Sequence, residues 1–160
     1  MRSLFCVIFL LYSIQSSAKE LITTSHSTAN IEKFTLPKGT IYSNFKNTGT
    51  WTDNFGNYGT TICFGLIETN NLGGIKLDVI CENLDKEGYK SWIILKRNSL
   101  QFDSGVGLTE YIDGTGPWVE VIGTKCTYAT TYLKEVSFTI DKCKISEKAY
   151  NALSGYNWHG

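Results

Sequence analysis

From residue 40 onward, runs of apolar residues and threonine alternate with turn clusters, and within the runs the alternation has a period of two. Thr40 to Phe45, Thr48 to Thr52, Thr61 to Thr69 and Ile75 to Cys81 read as strands. Asp53-Asn54-Phe55-Gly56-Asn57, Asn70-Asn71-Leu72-Gly73-Gly74 and Asp85-Lys86-Glu87-Gly88 between them carry turn chemistry. Ile75, Leu77, Val79 and Cys81 share one face, as do Cys63, Gly65 and Ile67, so a fold about Leu72 sets Cys63 opposite Cys81. Tyr89 to Arg97 is apolar on both faces at Trp92-Ile93-Ile94-Leu95, which predicts a central strand. Thr124 to Tyr132 and Val136 to Cys143 form a last hairpin whose core row reads as Val136, Phe138 and Ile140. Cys143 then falls on the other face, with Ser137, Thr139 and Asp141. Either a bulge reconciles the two, or the hairpin cysteines do not pair.

The flanks read differently. Arg2, the apolar run Leu4 to Ile14 and the small residues Ser16-Ser17-Ala18 predict a cleaved secretory signal over 1–18; the run is about half of the ~20 residues a membrane span requires. Residues 19–38 are polar and end in Pro37-Lys38-Gly39, which predicts a flexible N-terminal arm. The barrel domain is expected over 39–145. A short C-terminal tail, 146–160, follows, with Ser146 as N-cap of a helix from Glu147 to Leu153.

About seven or eight short strands joined mostly by tight turns predict an all-β fold, an antiparallel meander. A sandwich and a closed barrel both accommodate it, and the barrel is preferred, because closure leaves no edges and about eight strands enclose either a filled interior or one small-ligand cavity. Export makes the cysteines interpretable. Removal of Cys6 with the signal leaves Cys63, Cys81, Cys126 and Cys143, an even set for an oxidising compartment and two disulfides. Three connectivities exist; spacing leans toward Cys63–Cys81 and Cys126–Cys143.

Composition narrows the function. With 15 Lys+Arg against 15 Asp+Glu and no basic cluster, nucleic-acid binding is not expected. No membrane span follows residue 18. There is no Cys-x-x-Cys and only two histidines, His26 and His159, so neither a metal site nor His-dependent catalysis is expected, and no cofactor is implied. Any enzymatic chemistry would rest on the carboxylates Asp53, Asp78, Asp103, Glu110 and Asp113.

Gly114-Thr115-Gly116-Pro117-Trp118-Val119-Glu120-Val121-Ile122-Gly123 resembles the Gly-Thr-Gly-x-aromatic-x-x-aliphatic-x-Gly segment of barrels related to allene oxide cyclase and dirigent proteins. The resemblance rests on Gly114, Thr115, Gly116, Trp118 and Gly123. It implies a barrel in which Trp118 and Val121 tuck under one end, and it brings cyclase or isomerase activity into view. Gly49-Thr50-Trp51-Thr52-Asp53-Asn54-Phe55-Gly56-Asn57 is similar to the first strand and loop of calycin barrels, avidins among them, through Gly49 and Trp51. Avidins carry Asn at the position of Asp53; an ionised Asp only accepts hydrogen bonds, so biotin is not the expected ligand.

The candidate ligand-binding residues are Trp92, Tyr128, Tyr132, Asp103 and Asp113: aromatic surface with hydroxyl handles, and two carboxylates flanking the glycine-rich crossing Ser104-Gly105-Val106-Gly107. The leading expectation is a secreted or periplasmic barrel that binds a small apolar or amphipathic ligand, or a partner, at one mouth. A cyclase or isomerase and a homo-oligomeric interaction protein are the alternatives.

Overall fold

The computed structural model describes residues 19–100 and 104–155. The expected signal at 1–18, the candidate Asp103 and the end of the tail with His159 lie outside the described residues. Eight strands follow in chain order: β1 (Lys19–Thr35), β2 (Ile41–Asp53), β3 (Tyr58–Thr69), β4 (Ile75–Asp85), β5 (Lys90–Ser99), β6 (Ser104–Gly114), β7 (Lys125–Leu133) and β8 (Val136–Ile145). Each pairs antiparallel with the next, and β8 pairs with β1, so the meander closes into a barrel. Both disulfides join directly opposed residues, Cys63 to Cys81 and Cys126 to Cys143. Among the described residues no helix is long and apolar enough to cross a membrane.

Three expectations are corrected. The segment read as a flexible arm is the longest strand, β1, which pairs with β2 from Thr23 to Thr35 and with β8 from Lys19 to Thr28. Its outer face is polar and its inner face carries Ser25, Ser27 and Ala29, so no amphipathic alternation marks it; small residues suit a crowded lumen. The glycine-rich crossing at 104–107 is the first part of β6. Gly105 and Gly107 face inward there, and a Cβ on Gly107 would stand 2.5 Å from Cε1 of Tyr128. In β8 the core row is reversed. Ser137 and Cys143 are buried, whereas Phe138 and Ile140 are exposed, and Cys126 and Cys143 meet in register without a bulge.

One end of the barrel has a floor. After β6, Gly116 takes φ +55°, a conformation glycine adopts without penalty, and Pro117 starts a 3-10 helix over Gly116–Val121. Trp118 and Val121 from this turn are buried, as the Gly-Thr-Gly segment suggested. Trp118 meets Trp51 edge to face at 5.4 Å between ring centroids and stacks on Tyr111 at 6.3 Å. Helix α1 (Glu147–Ser154), capped by Ser146 Oγ accepting from Ala149 N at 3.1 Å, covers the same end with Ala149 and Leu153 fully buried. Among the described residues the opposite end carries strand connections and no helix.

Candidate functional site

The inward rows combine Ser, Thr and Asn with aliphatic residues and both disulfides, and they leave two small voids in the lumen. The one nearer the floor is a cavity of about 70 Å³ lined by Thr23, Asn47, Trp51, Thr61, Asn83, Thr109, Tyr111 and Asp141, with Cys63, Cys81, Ile93 and Leu95. The one nearer the opposite end is about 40 Å³ and is bounded by Phe45, Leu77, Val79, Arg97, Tyr128, Tyr132 and Ser137. Asn47, Cys63, Cys81, Leu95 and Thr139 line both voids, so the two adjoin. At roughly 30 Å³ for each water, the lumen takes a few waters or a molecule of a few heavy atoms. Wider depressions of about 510 and 410 Å³ around Lys76 and Asn98 open onto the outer surface.

Asp141 is the chemically distinctive group in the floor cavity. Burial pushes its carboxyl up to about 6, against the opposing effect of Thr109, whose Oγ1 donates to Asp141 Oδ1 at 2.7 Å. Burial, reinforced by the charge of Asp141, holds the Tyr111 hydroxyl far above its ordinary range. One buried oxygen beside them, Asn47 Oδ1, has no hydrogen-bond partner in the protein, whereas the Thr23 side chain hydrogen-bonds Tyr111; buried polar groups are nearly always paired with protein or with ordered water. In the second void the Arg97 side chain, 3% exposed, lies over Gly105. Burial pushes the Tyr128 hydroxyl up to about 12, and the Arg97 charge works in the opposite sense. The lumen is therefore dipolar, with a guanidinium toward the end opposite the floor and a carboxyl toward the floor.

Tyr128 and Tyr132, both expected at a binding site, do meet around the upper void. Trp92 and Asp113 do not. Trp92 is on the outer face, where its Nε1 donates to Glu82 Oε2 at 3.1 Å, because its chain neighbour Ile93 takes the inward position. Asp113 is exposed and accepts from Gly114 N at 2.8 Å, as a turn aspartate does. Asp53 likewise caps its own turn, with Oδ1 accepting from Phe55 N and Asn57 N at 2.9 Å each. Asp78 and Glu110 lie on the outer wall.

The lumenal residues passed over from sequence are Arg97, Asp141, Asn47 and Tyr111. Two signals pointed to them. Arg97 falls in the period-two row of Ile93 and Leu95, and Asp141 shares its face with Cys143, whose disulfide must point inward if Cys126 does. Among the described residues no group of three or more His, Cys, Asp or Glu side chains could hold a metal ion. No protein-family model matches this chain, and no curated protein matches it.

Proposed function

We propose that this is a secreted binding barrel whose guest is a small dipolar molecule held in the lumen, entering from the end opposite the floor. The observation that carries the reading is the floor cavity: a protonatable carboxyl, Asp141, in a void that Asn47 also lines with a buried oxygen that lacks a partner in the protein. A guest that donates hydrogen bonds toward Asp141 and Asn47 and accepts from the Arg97 and tyrosine end complements both halves. Compounds such as glycine or β-alanine have this character. The polar lining and small volume favour such a guest over the apolar ligand suggested by the aromatic content. The two disulfides fit an oxidising compartment.

Titration of isotope-labelled protein with glycine, β-alanine, acetate and methylammonium tests the proposal. The two dipolar compounds are expected to move the amide signals of Asn47, Thr109 and Asp141 more strongly than either singly charged compound. No movement with any of the four at millimolar concentration overturns it.

Asp141 also favours a second reading, a cyclase or isomerase of the kind suggested by the Gly114–Gly123 resemblance. A carboxyl poised near neutrality inside a cavity is the feature that general acid–base chemistry needs. On that reading Asp141→Asn loses turnover of the substrate; equal turnover by the variant ends it.

A further inference from the structure

The outer surface of the barrel is uneven in a way that the lumen reading does not use. On β1 and β2 the outward residues are chiefly polar, among them Thr24, His26, Thr28, Asn30, Asn44, Lys46, Thr48 and Thr50. On β3 to β6 they are largely apolar. Phe64, Ile80 and Ile94 are register partners across β3, β4 and β5 and form a row, with Phe64 51% and Ile80 45% exposed. The next level toward the end opposite the floor reads Leu66, Asp78, Lys96, Leu108 across four strands. Contiguous apolar surface of this kind, interrupted by a few charges, is a mark of an interaction site. Phe138 and Ile140 of β8 are exposed as well, but the polar outer faces of β1 and β2 interrupt any continuous apolar band of the kind a membrane barrel carries.

We infer that this wall binds a second copy of the same chain, face to face, about a two-fold axis that runs along the strands between β4 and β5. The argument is self-complementarity. Such an axis exchanges β4 with β5 and β3 with β6 at constant level, as an isologous interface requires. Ile80 then faces the partner's Ile94, Leu66 faces the partner's Leu108, and Asp78 faces the partner's Lys96; each contact occurs twice. Phe64 comes opposite the stem of the partner's Glu110, a residue whose carboxylate leans on Lys125 at 4.0 Å in the monomer. Two convex walls touch chiefly near the axis, where Ile80, Ile94, Asp78 and Lys96 occupy the middle levels, and Glu82 opposite the partner's Trp92 and Lys76 opposite the partner's Asn98 flank them. An axis perpendicular to the strands through Ile80 sets Asp78 against the partner's Glu82, a like-charge contact, so the charges select the first arrangement. Face-to-face sheets pack within about 30° of aligned, which this geometry allows.

Charge reversal separates this interface from a folding effect. Analytical ultracentrifugation of the purified protein is expected to show a dimer. Asp78→Lys and Lys96→Asp, each alone, are expected to weaken self-association roughly tenfold or more, because each creates two like-charge contacts per interface. Mixing the two variants restores complementarity at both contacts, so a heterodimer is expected, and the double reversal is expected to dimerise like the original. Both variants are exposed-site changes, and their far-UV spectra report whether the barrel is intact. A monomer at all concentrations, single reversals that dimerise unchanged, or mixed variants that do not pair each overturn the inference.

Discussion

Trp118 Nε1 donates a 2.8 Å hydrogen bond to Asp85 Oδ2, joining the floor turn to the β4–β5 connection 33 residues earlier in the chain. The other oxygen of the same carboxylate accepts from Glu87 N and Tyr89 N at 2.9 Å each, so one buried side chain shapes a turn and anchors the floor. Asp85→Ala leaves three donors without this acceptor and is expected to cost roughly 2–4 kcal/mol. Asp85→Asn is expected to cost less, since its remaining oxygen still accepts. Urea denaturation followed by tryptophan fluorescence checks both, and an Asp85→Ala midpoint equal to the original refutes the anchor.

Asp141 makes stability depend on pH with a defined sign. Burial raises it from the ordinary aspartate value of 3.8 to about 6 in the folded protein, so the folded protein binds the proton more tightly. The penalty of the ionised form is absent below about pH 4, grows as pH rises through that window, and is complete above about 6. Asp141→Asn is therefore expected to stabilise at pH 7.5 by up to roughly 2–3 kcal/mol and to have little effect at pH 4. Thermal unfolding at the two pH values measures it; equal shifts at both would place Asp141 in a solvated setting.

Binding of the proposed dipolar guest carries the opposite dependence. Its cationic end is held by the ionised form of Asp141, so affinity for glycine is expected to fall as pH drops below about 6. Calorimetric titration between pH 5 and 7.5 reads this directly. An affinity that is flat across the range separates the guest from Asp141.

Gly107 is where β6 leaves room for Tyr128. An added Cβ would also stand 2.6 Å from the Lys96 carbonyl oxygen, so both backbone and ring must shift. Gly107→Ala is expected to cost about 1–3 kcal/mol and to move the Tyr128 ring signals. Unchanged ring shifts in the spectrum would show that the strand yields instead.

The hairpin disulfide Cys126–Cys143 closes a segment with a sequence separation of 17. Its replacement by two alanines is expected to lower stability by about 3 kcal/mol, read from denaturation midpoints. A loss well under 1 kcal/mol would mean that the reduced chain already holds the β7–β8 pairing.

Much of this fold is legible in the chain because the signals are local. Asn70 to Gly74 and Asp85 to Gly88 have turn composition, and the strands they join appear close to where the alternation puts them. Cys63 and Cys81 could be set opposite one another from parity alone. Parity failed at β8 because both of its faces carry plausible core residues: Val136, Phe138 and Ile140 are more apolar than Ser137, Thr139 and Asp141, yet they face outward. It failed at β1 because neither face is apolar enough to stand out. Trp92 was misplaced for the related reason that Trp92 to Leu95 is apolar on both sides. Arg97 and Asp141 went unread as site residues because a charged residue in an inward row has meaning only once the row is known to face inward.

Local chemistry by itself determined the all-β class, most of the turns and the placing of Cys63 opposite Cys81, since each depends on residues near in sequence or on a period of two; the Cys126–Cys143 pairing was decided by the structure. Only the closed tertiary structure decided which faces of β1, β5 and β8 line the lumen. Closure of eight strands crowds the lumen, so Ser, Thr, Gly and the disulfides share it with Ile67, Leu77, Val79 and Ile93, while further apolar residues of β3 to β6 and of β8 are left on the outer wall. The meeting of Asp141, Asn47 and Arg97 in one lumen is a product of that closure, because no two of them lie on the same strand.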